Sequence, residues 1–385
     1  MGYTTKNIEQ LLRVNFQSVK HSGVVNSEMS NVNTAALRLI QKEHPITVDD
    51  SPPHDKWNSF LDNLGNIGNL DQIYEYGKAI EKAHPGSEVL RLLAFEGESP
   101  VGLIQGHYQK KFGYGRNLTI GGSYGTGPVT ALEKRNDAMM KTLLLGLEDV
   151  ACKKRIVEGE IKWPQKSGFT SVFECLKYIV TSSYNVYVIP LNGSPSDLWN
   201  RIHPNKRRNV KKAELAGVRV ECGQTDQDFQ SFLGMLKTSA LRANFDPRIT
   251  EIEEVWREFR SKGSARIFLS KWKDRDVAGT FIIAHGDTAY ARAAGSREDA
   301  WEVRPNDIVH WKAMEWACEQ GYSWYNMGGV ECPEPCEGSP GWGLWRWKKE
   351  WRGTLERILV YSKVYLPKLR RFMDSTRRVR RGLGR

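Results

Sequence analysis

The sequence predicts an α+β protein made of two similar halves, each a mixed sheet flanked by helices. Three observations carry this. At 385 residues the chain exceeds the size at which one hydrophobic core stops growing, so two domains are the default. Its 40% hydrophobic and 26% charged residues are those of a globular chain rather than a disordered one. Most informative, one order of elements (helix, antiparallel hairpin, strand, helix, strand) is written twice.

Residues 1–50 are polar and Asn/Ser-rich, with one amphipathic pattern from Thr34 to Lys42, and read as an N-terminal extension. Ser51-Pro-Pro-His54 leads into a first domain, 51–190. There Leu70–Ala83 has helical spacing, and Val89–Gln105 reads as two strands about the turn Glu96-Gly-Glu-Ser99. Asn117–Gly121 is a third strand, Leu132–Cys152 a long helix and Arg155–Ile161 a further strand. After the strand-like Tyr184–Ile189, the turn residues of Pro190-Leu-Asn-Gly-Ser-Pro195 mark the boundary. The second domain, 191–362, repeats the plan with helix Asp226–Ala243, hairpin Ala265–Ala284, strand Ala289–Ala294, helix Asp307–Gln320 and strand Trp324–Met327. Gly102 and Gly279 take matching places in the two hairpins.

The net charge of +11 is concentrated. Residues 363–385 carry nine Lys/Arg against one Asp, and residues 201–219 carry seven against one Glu, which leaves the remainder at −3. Two local basic patches imply anionic ligands at particular places rather than a nucleic-acid coat over the whole surface. The tail from Tyr365 places Leu366, Leu369, Phe372 and Met373 at helical spacing among arginines. It reads as a basic amphipathic helix for an anionic membrane surface, as a contact for RNA phosphates, or as a disordered tail. Six cysteines are too sparse for a disulfide scaffold, and Cys332-Pro-Glu-Pro-Cys336 has no second pair at zinc-ligand spacing, so no metal is expected. The start of the chain has no apolar signal region and no stretch is apolar enough to span a membrane, which points to a cytoplasmic protein, peripheral at most on the inner face of the membrane.

Gly341-Trp-Gly-Leu-Trp-Arg-Trp-Lys-Lys-Glu-Trp-Arg352 holds four of the thirteen tryptophans. Read with a period of two, Trp345, Trp347 and Trp351 share one face with Lys349, and Arg346, Lys348 and Arg352 share the other. A buried strand with snorkelling cations fits this pattern, and so does a surface that stacks flat groups beside phosphates.

The element order resembles the acetyltransferase (GNAT) fold, and specifically the tandem-domain FemABX family of aminoacyl-tRNA-dependent peptidyltransferases, over about residues 56–362. The basic run His203-Pro-Asn-Lys-Arg-Arg-Asn-Val-Lys-Lys-Ala213 with Gly217-Val218 is similar to the helix that opens that family's second domain. Gly127-Pro-Val129 matches a first-domain motif, and Asp307-Ile-Val-His-Trp311 with Gly321–Gly329 matches the late helix and glycine-ended strand. Gly343–Gly353 resembles the closing "GLyrFKkgFGG", although Asn326 stands where the family often has Asp. The resemblance implies two tandem GNAT-like domains and an aminoacyltransferase. Its reaction moves an amino acid from aminoacyl-tRNA, as co-substrate, to an amine of a nucleotide- or lipid-linked cell-envelope precursor, with no bound cofactor.

On this reading Lys206, Arg207, Arg208 and Lys212, with Asn205 capping and Gly217 ending their helix, meet a diphosphate. Lys348 neutralises the oxyanion or a terminal tRNA phosphate with Trp347 packed beside it, and Lys348→Ala should abolish transfer with the fold intact. His310 reads as a satisfied core histidine and Asp307 as the N-terminal carboxylate of its helix. Two rival readings remain: an acyl-CoA-dependent N-acyltransferase, and a member that binds tRNA or nucleotide without catalysis. The residues themselves disfavour coenzyme A. The loop Val303-Arg-Pro-Asn-Asp-Ile308 has no glycine, and Pro305 has no amide hydrogen to offer a pyrophosphate.

Overall fold

A computed structural model describes residues 46–64, 69–111 and 114–373. The predicted helix Thr34–Lys42 and tail residues 374–385 lie outside these. The fold and sites below belong to the compact unit Val48–Arg385.

Its first half holds α1 (His54–Asn63), α2 (Tyr74–Ala83), the hairpin β1 (Ser87–Glu96) and β2 (Ser99–Lys111), β3 (Tyr114–Ile120), a two-residue β4 (Val129–Thr130), α3 (Asp137–Lys153), β5 (Glu158–Pro164), α4 (Thr170–Cys175) and β6 (Ile179–Pro190). The second half holds α5 (Pro195–Arg201), α6 (Pro204–Leu215), β7 (Arg219–Gly223), α7 (Asp226–Ala243), α8 (Ile249–Phe259), the hairpin β8 (Ala265–Trp272) and β9 (Arg275–His285), β10 (Thr288–Ser296), α9 (Pro305–Glu319), β11 (Trp324–Val330), α10 (Trp342–Lys349) and β12 (Thr354–Val364). The duplicated α+β plan read from the sequence is therefore present. In each half the strand after the hairpin pairs in parallel with the strand after the helix. Leu118–Ile120 lie beside Gly159–Ile161, and Thr288–Tyr290 beside Trp324–Asn326.

One sheet joins the halves in the order β1-β2-β3-β5-β12-β6-β11-β10-β9-β8-β7, with β4 against β2. The latest strand, β12, fills the middle and pairs antiparallel with both β5 and β6. A buried apolar cluster crosses between the halves, where Leu70, Tyr76 and Tyr124 pack with Phe229, Trp256 and Tyr290. α8 lies on α2 at this junction. Asn244 and Arg248, both at positive φ, bracket the break between α7 and α8, so this stretch forms no long hairpin.

The tryptophan-rich run departs from the two-residue period: residues 342–349 are helical. Helical winding turns Trp345 and Lys348, three apart, into the protein, and leaves Leu344, Arg346 and Lys349 exposed. Trp342 stacks on Trp345 at 5.4 Å, and Trp347 meets Trp351 edge-on at 5.9 Å. Trp345 and Trp351 are both core residues. The cap of α6 also differs from expectation. Pro204 occupies the first helical turn, where its missing amide costs nothing, so His203 rather than Asn205 is the N-cap. Gly217 ends the helix as predicted, at φ +78°, with the Val218 amide donating to the Ala213 carbonyl.

Candidate functional site

The start of α9 organises the second half's charged pocket. Arg304 sits before the helix at φ 55° and Pro305 opens it, so neither an amide-rich loop nor a glycine is present there. Asp307, buried in the first turn, collects three donors: Lys206 Nζ at 2.7 Å, Trp347 Nε1 at 2.9 Å and, on its other oxygen, Asn209 Nδ2 at 3.0 Å.

This geometry sorts the predicted diphosphate ligands. Lys206 is only 1% exposed. Its ammonium pairs with Asp307 and, at 3.4 Å, with Glu350, and lies 4.6 Å and 5.3 Å from the ring centres of Trp347 and Trp351. Two carboxylates and two indoles already satisfy it, so its assignment as a phosphate ligand is corrected: it ties α6 to α9 and α10. Arg207 is likewise engaged, donating to the carbonyls of Trp199, Asn200 and Ile202 and so closing the end of α5. Arg208 is exposed at the pocket rim, held by Asn205 Oδ1. Lys212 is exposed but outside the pocket lining.

Two arginines missing from the sequence prediction complete the rim. Arg304 and Arg346 line the same pocket of about 390 Å³ as Arg208, and all three are exposed. None of the three has an ion-pair partner among the described residues. Their convergence from α6, the start of α9 and α10 is tertiary, and no local spacing announces it. Trp347 forms the pocket wall, fixed by its bond to Asp307.

Lys348 is turned inward. Its Nζ donates to the carbonyls of Met327 (2.7 Å), Gly329 (2.9 Å) and Gly328 (3.4 Å), where β11 changes register between Asn326 and Gly329. Burial lowers its pKa to about 8. With three carbonyl acceptors it has no proton left for an oxyanion, and the geometry makes it the support of the β11 bulge. His310 is a core histidine: Nδ1 meets the Tyr325 hydroxyl at 3.0 Å, and burial drops its pKa to about 3.

A second concavity, about 560 Å³, lies between the halves. Its first-half wall is the turn after β3, Gly122-Ser123, with Asp71 behind it and Glu160 and Lys162 on β5. Its second-half wall is Glu251 on α8 and Arg292 on β10. Glu251 is buried and binds Arg292 at 2.6 Å, His84 at 2.8 Å and Arg248 at 3.3 Å. Lys162 lies 3.8 Å from Glu160. Burial holds the His107 pKa near 4, so that imidazole is neutral at neutral pH. Tyr184 links this cleft to the β11 bulge, donating to the Gly122 carbonyl at 3.2 Å while its ring lies against Gly329. Sequence reasoning left the whole cleft out, because its residues come from seven separate helices and strands and the loops between them.

Residues 201–349 match the family model described as an acetyltransferase (GNAT) domain, so the chain carries an acyltransferase domain of that type. The sequence matches no curated protein. Among solved structures, the chain is similar to FemX at 16% identity, covering 85% of this chain and 99% of that one with a TM-score of 0.72. It is also similar to a tandem GNAT protein from the clavulanic acid biosynthesis pathway (9% identity, 83% and 98% covered, TM-score 0.52). L-PGS from Bacillus licheniformis matches at 14% identity, with 81% and 92% covered and a TM-score of 0.51. The FemABX-like tandem GNAT fold expected from the sequence is present.

Proposed function

We propose that this tandem GNAT protein is an N-acyltransferase that moves an aminoacyl group from an aminoacyl-tRNA ester to an amine of a nucleotide- or lipid-linked cell-envelope precursor. The observation that carries the reading is the pocket at the start of α9. The backbone amides that would cradle a coenzyme A pyrophosphate are displaced by Arg304, Pro305 and the occupied Asp307. Three exposed arginines converge there instead. Guanidinium forks on flexible stems suit phosphodiester or diphosphate oxygens presented from solvent. Both substrates of the proposed reaction carry such groups. The ester is already activated, so positioning and oxyanion stabilisation supply the acceleration and no covalent enzyme intermediate is needed.

The acyl-CoA reading keeps one supporting observation, the acetyltransferase description of the matching domain. Purified protein given an amine acceptor with labelled aminoacyl-tRNA in one reaction and acyl-CoA in another separates the two. Product from the tRNA arm is expected. Product from the acyl-CoA arm alone would replace the reading, and saturable binding with no product would make this a binding protein.

Among the described residues no helix is long and apolar enough to cross a membrane. We place the reaction in the cytoplasm at the inner membrane face, with residues 363–385 as the contact to anionic lipid. Residues 367–373 are helical, and the five arginines of 374–385 follow them in the sequence, a charge density suited to an anionic lipid surface. Unchanged sedimentation with anionic vesicles after removal of 374–385 would sink this placement.

A further inference from the structure

Four carboxylates line the cleft between the halves: Asp71, Glu160, Asp246 and Glu251. Glu160 has Lys162, and Glu251 has Arg292, His84 and Arg248. Asp246 is exposed and caps the Arg248 amide. Asp71 differs from all three. It is 8% exposed, and among the described residues it has no ion-pair partner. Its Oδ2 accepts the Thr126 hydroxyl at 2.7 Å, and Thr126 in turn accepts the Asp71 amide at 3.3 Å. Oδ1 accepts no hydrogen bond among the described residues and is open to the cleft. It faces Gly122, where a Cβ would lie 2.4 Å from it. A glycine thus keeps open the side of a buried carboxylate that nothing in the protein occupies.

Burying an uncompensated carboxylate is costly, and a protein that keeps one has use for the charge. Acylation of an amine presents that use, because an amine arrives as ammonium and must lose a proton before it can attack. We propose that Asp71 Oδ1 binds the ammonium group of the acceptor and accepts its proton. The inference rests on the amine-acylation reading above. One proton passes from nitrogen to Asp71, the C–N bond forms and the carbonyl pair becomes the oxyanion. On collapse the ester C–O bond breaks, the leaving hydroxyl oxygen takes the proton held by Asp71, and the second nitrogen proton goes to solvent.

The surroundings support this. Desolvation raises the Asp71 pKa, opposed by Thr126 and by the charges of Lys162 and Arg292, which makes it a stronger base than a surface aspartate. Both of those cations already have carboxylate partners. The other titratable groups on the cleft walls are Tyr76, His84, His107, Tyr108, Arg116, Glu160, Asp246, Arg248 and Glu251. Through Gly122 and Tyr184 the carboxylate is three contacts from the β11 bulge of the acyltransferase domain.

The test has two arms. The first needs no turnover: the Asp71 carboxyl carbon, followed by 13C NMR and assigned through Asp71→Asn, should shift and titrate at lower pH when ethylammonium is added. Tetramethylammonium, which has no N–H, should leave it unmoved. Gly122→Ala should erase the response while Asp71 remains. No response to ethylammonium overturns the site, whatever the protein catalyses.

In the second arm Asp71→Asn, with its fold checked by melting, should acylate an ammonium acceptor about 10²–10³-fold more slowly. The donor KM should hold and the acid limb of the pH profile should disappear. Hydroxylamine, neutral at pH 7, should escape most of the loss. Equal losses on both amines, or none on either, overturn the base role. A wild-type protein that answers ethylammonium yet acylates neither amine overturns the base role and the proposed reaction, while the cation site stands.

Discussion

Replacing Lys206 by Met tests whether the most buried cation of the basic helix is a ligand or a strut. Met keeps the stem's volume but removes the ammonium that lies 2.7 Å from Asp307 and 3.4 Å from Glu350. Asp307 would keep Trp347 and Asn209 as donors, and Glu350 only the 3.4 Å contact from Asn205. Removing one partner of a buried pair costs roughly 3–5 kcal/mol, because the other charge stays behind uncompensated. The cation's contacts with two indoles vanish as well, at about 0.5–2 kcal/mol. Urea unfolding should show a lower midpoint at unchanged slope. Adding Asp307→Asn should return a large part of the loss, since the orphaned charge is then gone; the double-mutant cycle should give a coupling of about 0.5–3 kcal/mol. A Lys206→Met protein within about 1 kcal/mol of wild type would refute the reasoning. It would put Lys206 back among the phosphate ligands, and its affinity for phosphate-bearing substrate would then have to fall.

Other outcomes follow from the same geometry. Replacing Arg208, Arg304 and Arg346 together by Gln should weaken tRNA binding and flatten its salt dependence, by about 0.7 in log–log slope for each single-strand phosphate no longer neutralised; an unchanged slope in filter binding would remove the pocket from recognition. Lys348→Ala should lower stability as well as transfer, since it strands carbonyls of β11 at about 1–3 kcal/mol for each one left unsatisfied; a variant that is inactive but as stable as wild type would restore the oxyanion role. Asp71→Asn should be more stable than wild type at pH 8. The folded-state pKa of Asp71 lies above its unfolded value of 3.8, so above both the fold must bury a charge. As pH falls through the raised value the carboxyl takes up its proton, and the difference should shrink toward pH 4. Thermal melts across that range would show a flat difference if the carboxylate carried no burial penalty.

The parts legible in the sequence are those set by local pattern. Both hairpins and the helix–strand pairs that follow them declare themselves through periodicity and turn residues, as does the Gly217 stop. The tryptophan run misled because Trp345, Trp347 and Trp351 satisfy a period of two, while Trp347–Trp351 and Trp345–Lys348 equally satisfy a helical one. The order of availability in the basic helix was not legible either. Lys206 and Arg208 are two positions apart, and which one faces Asp307 depends on where α9 lies. Asp71 gave no signal, since a lone aspartate in Asn69-Leu-Asp-Gln72 acquires its character only when the turn at Gly122 closes over it.

The position of β12 has a consequence for synthesis. The strand that bridges β5 and β6 leaves the ribosome after every other strand of this sheet, so until then two central strands present bare edges to one another and to other nascent chains. Vectorial folding of the first half ahead of the second is therefore incomplete by design, and its sheet is sealed only as the last long-range pairing forms. A fragment ending near Pro190 would carry those edges permanently and aggregate, whereas splitting the chain elsewhere and supplying β12 in trans would offer a direct handle on assembly.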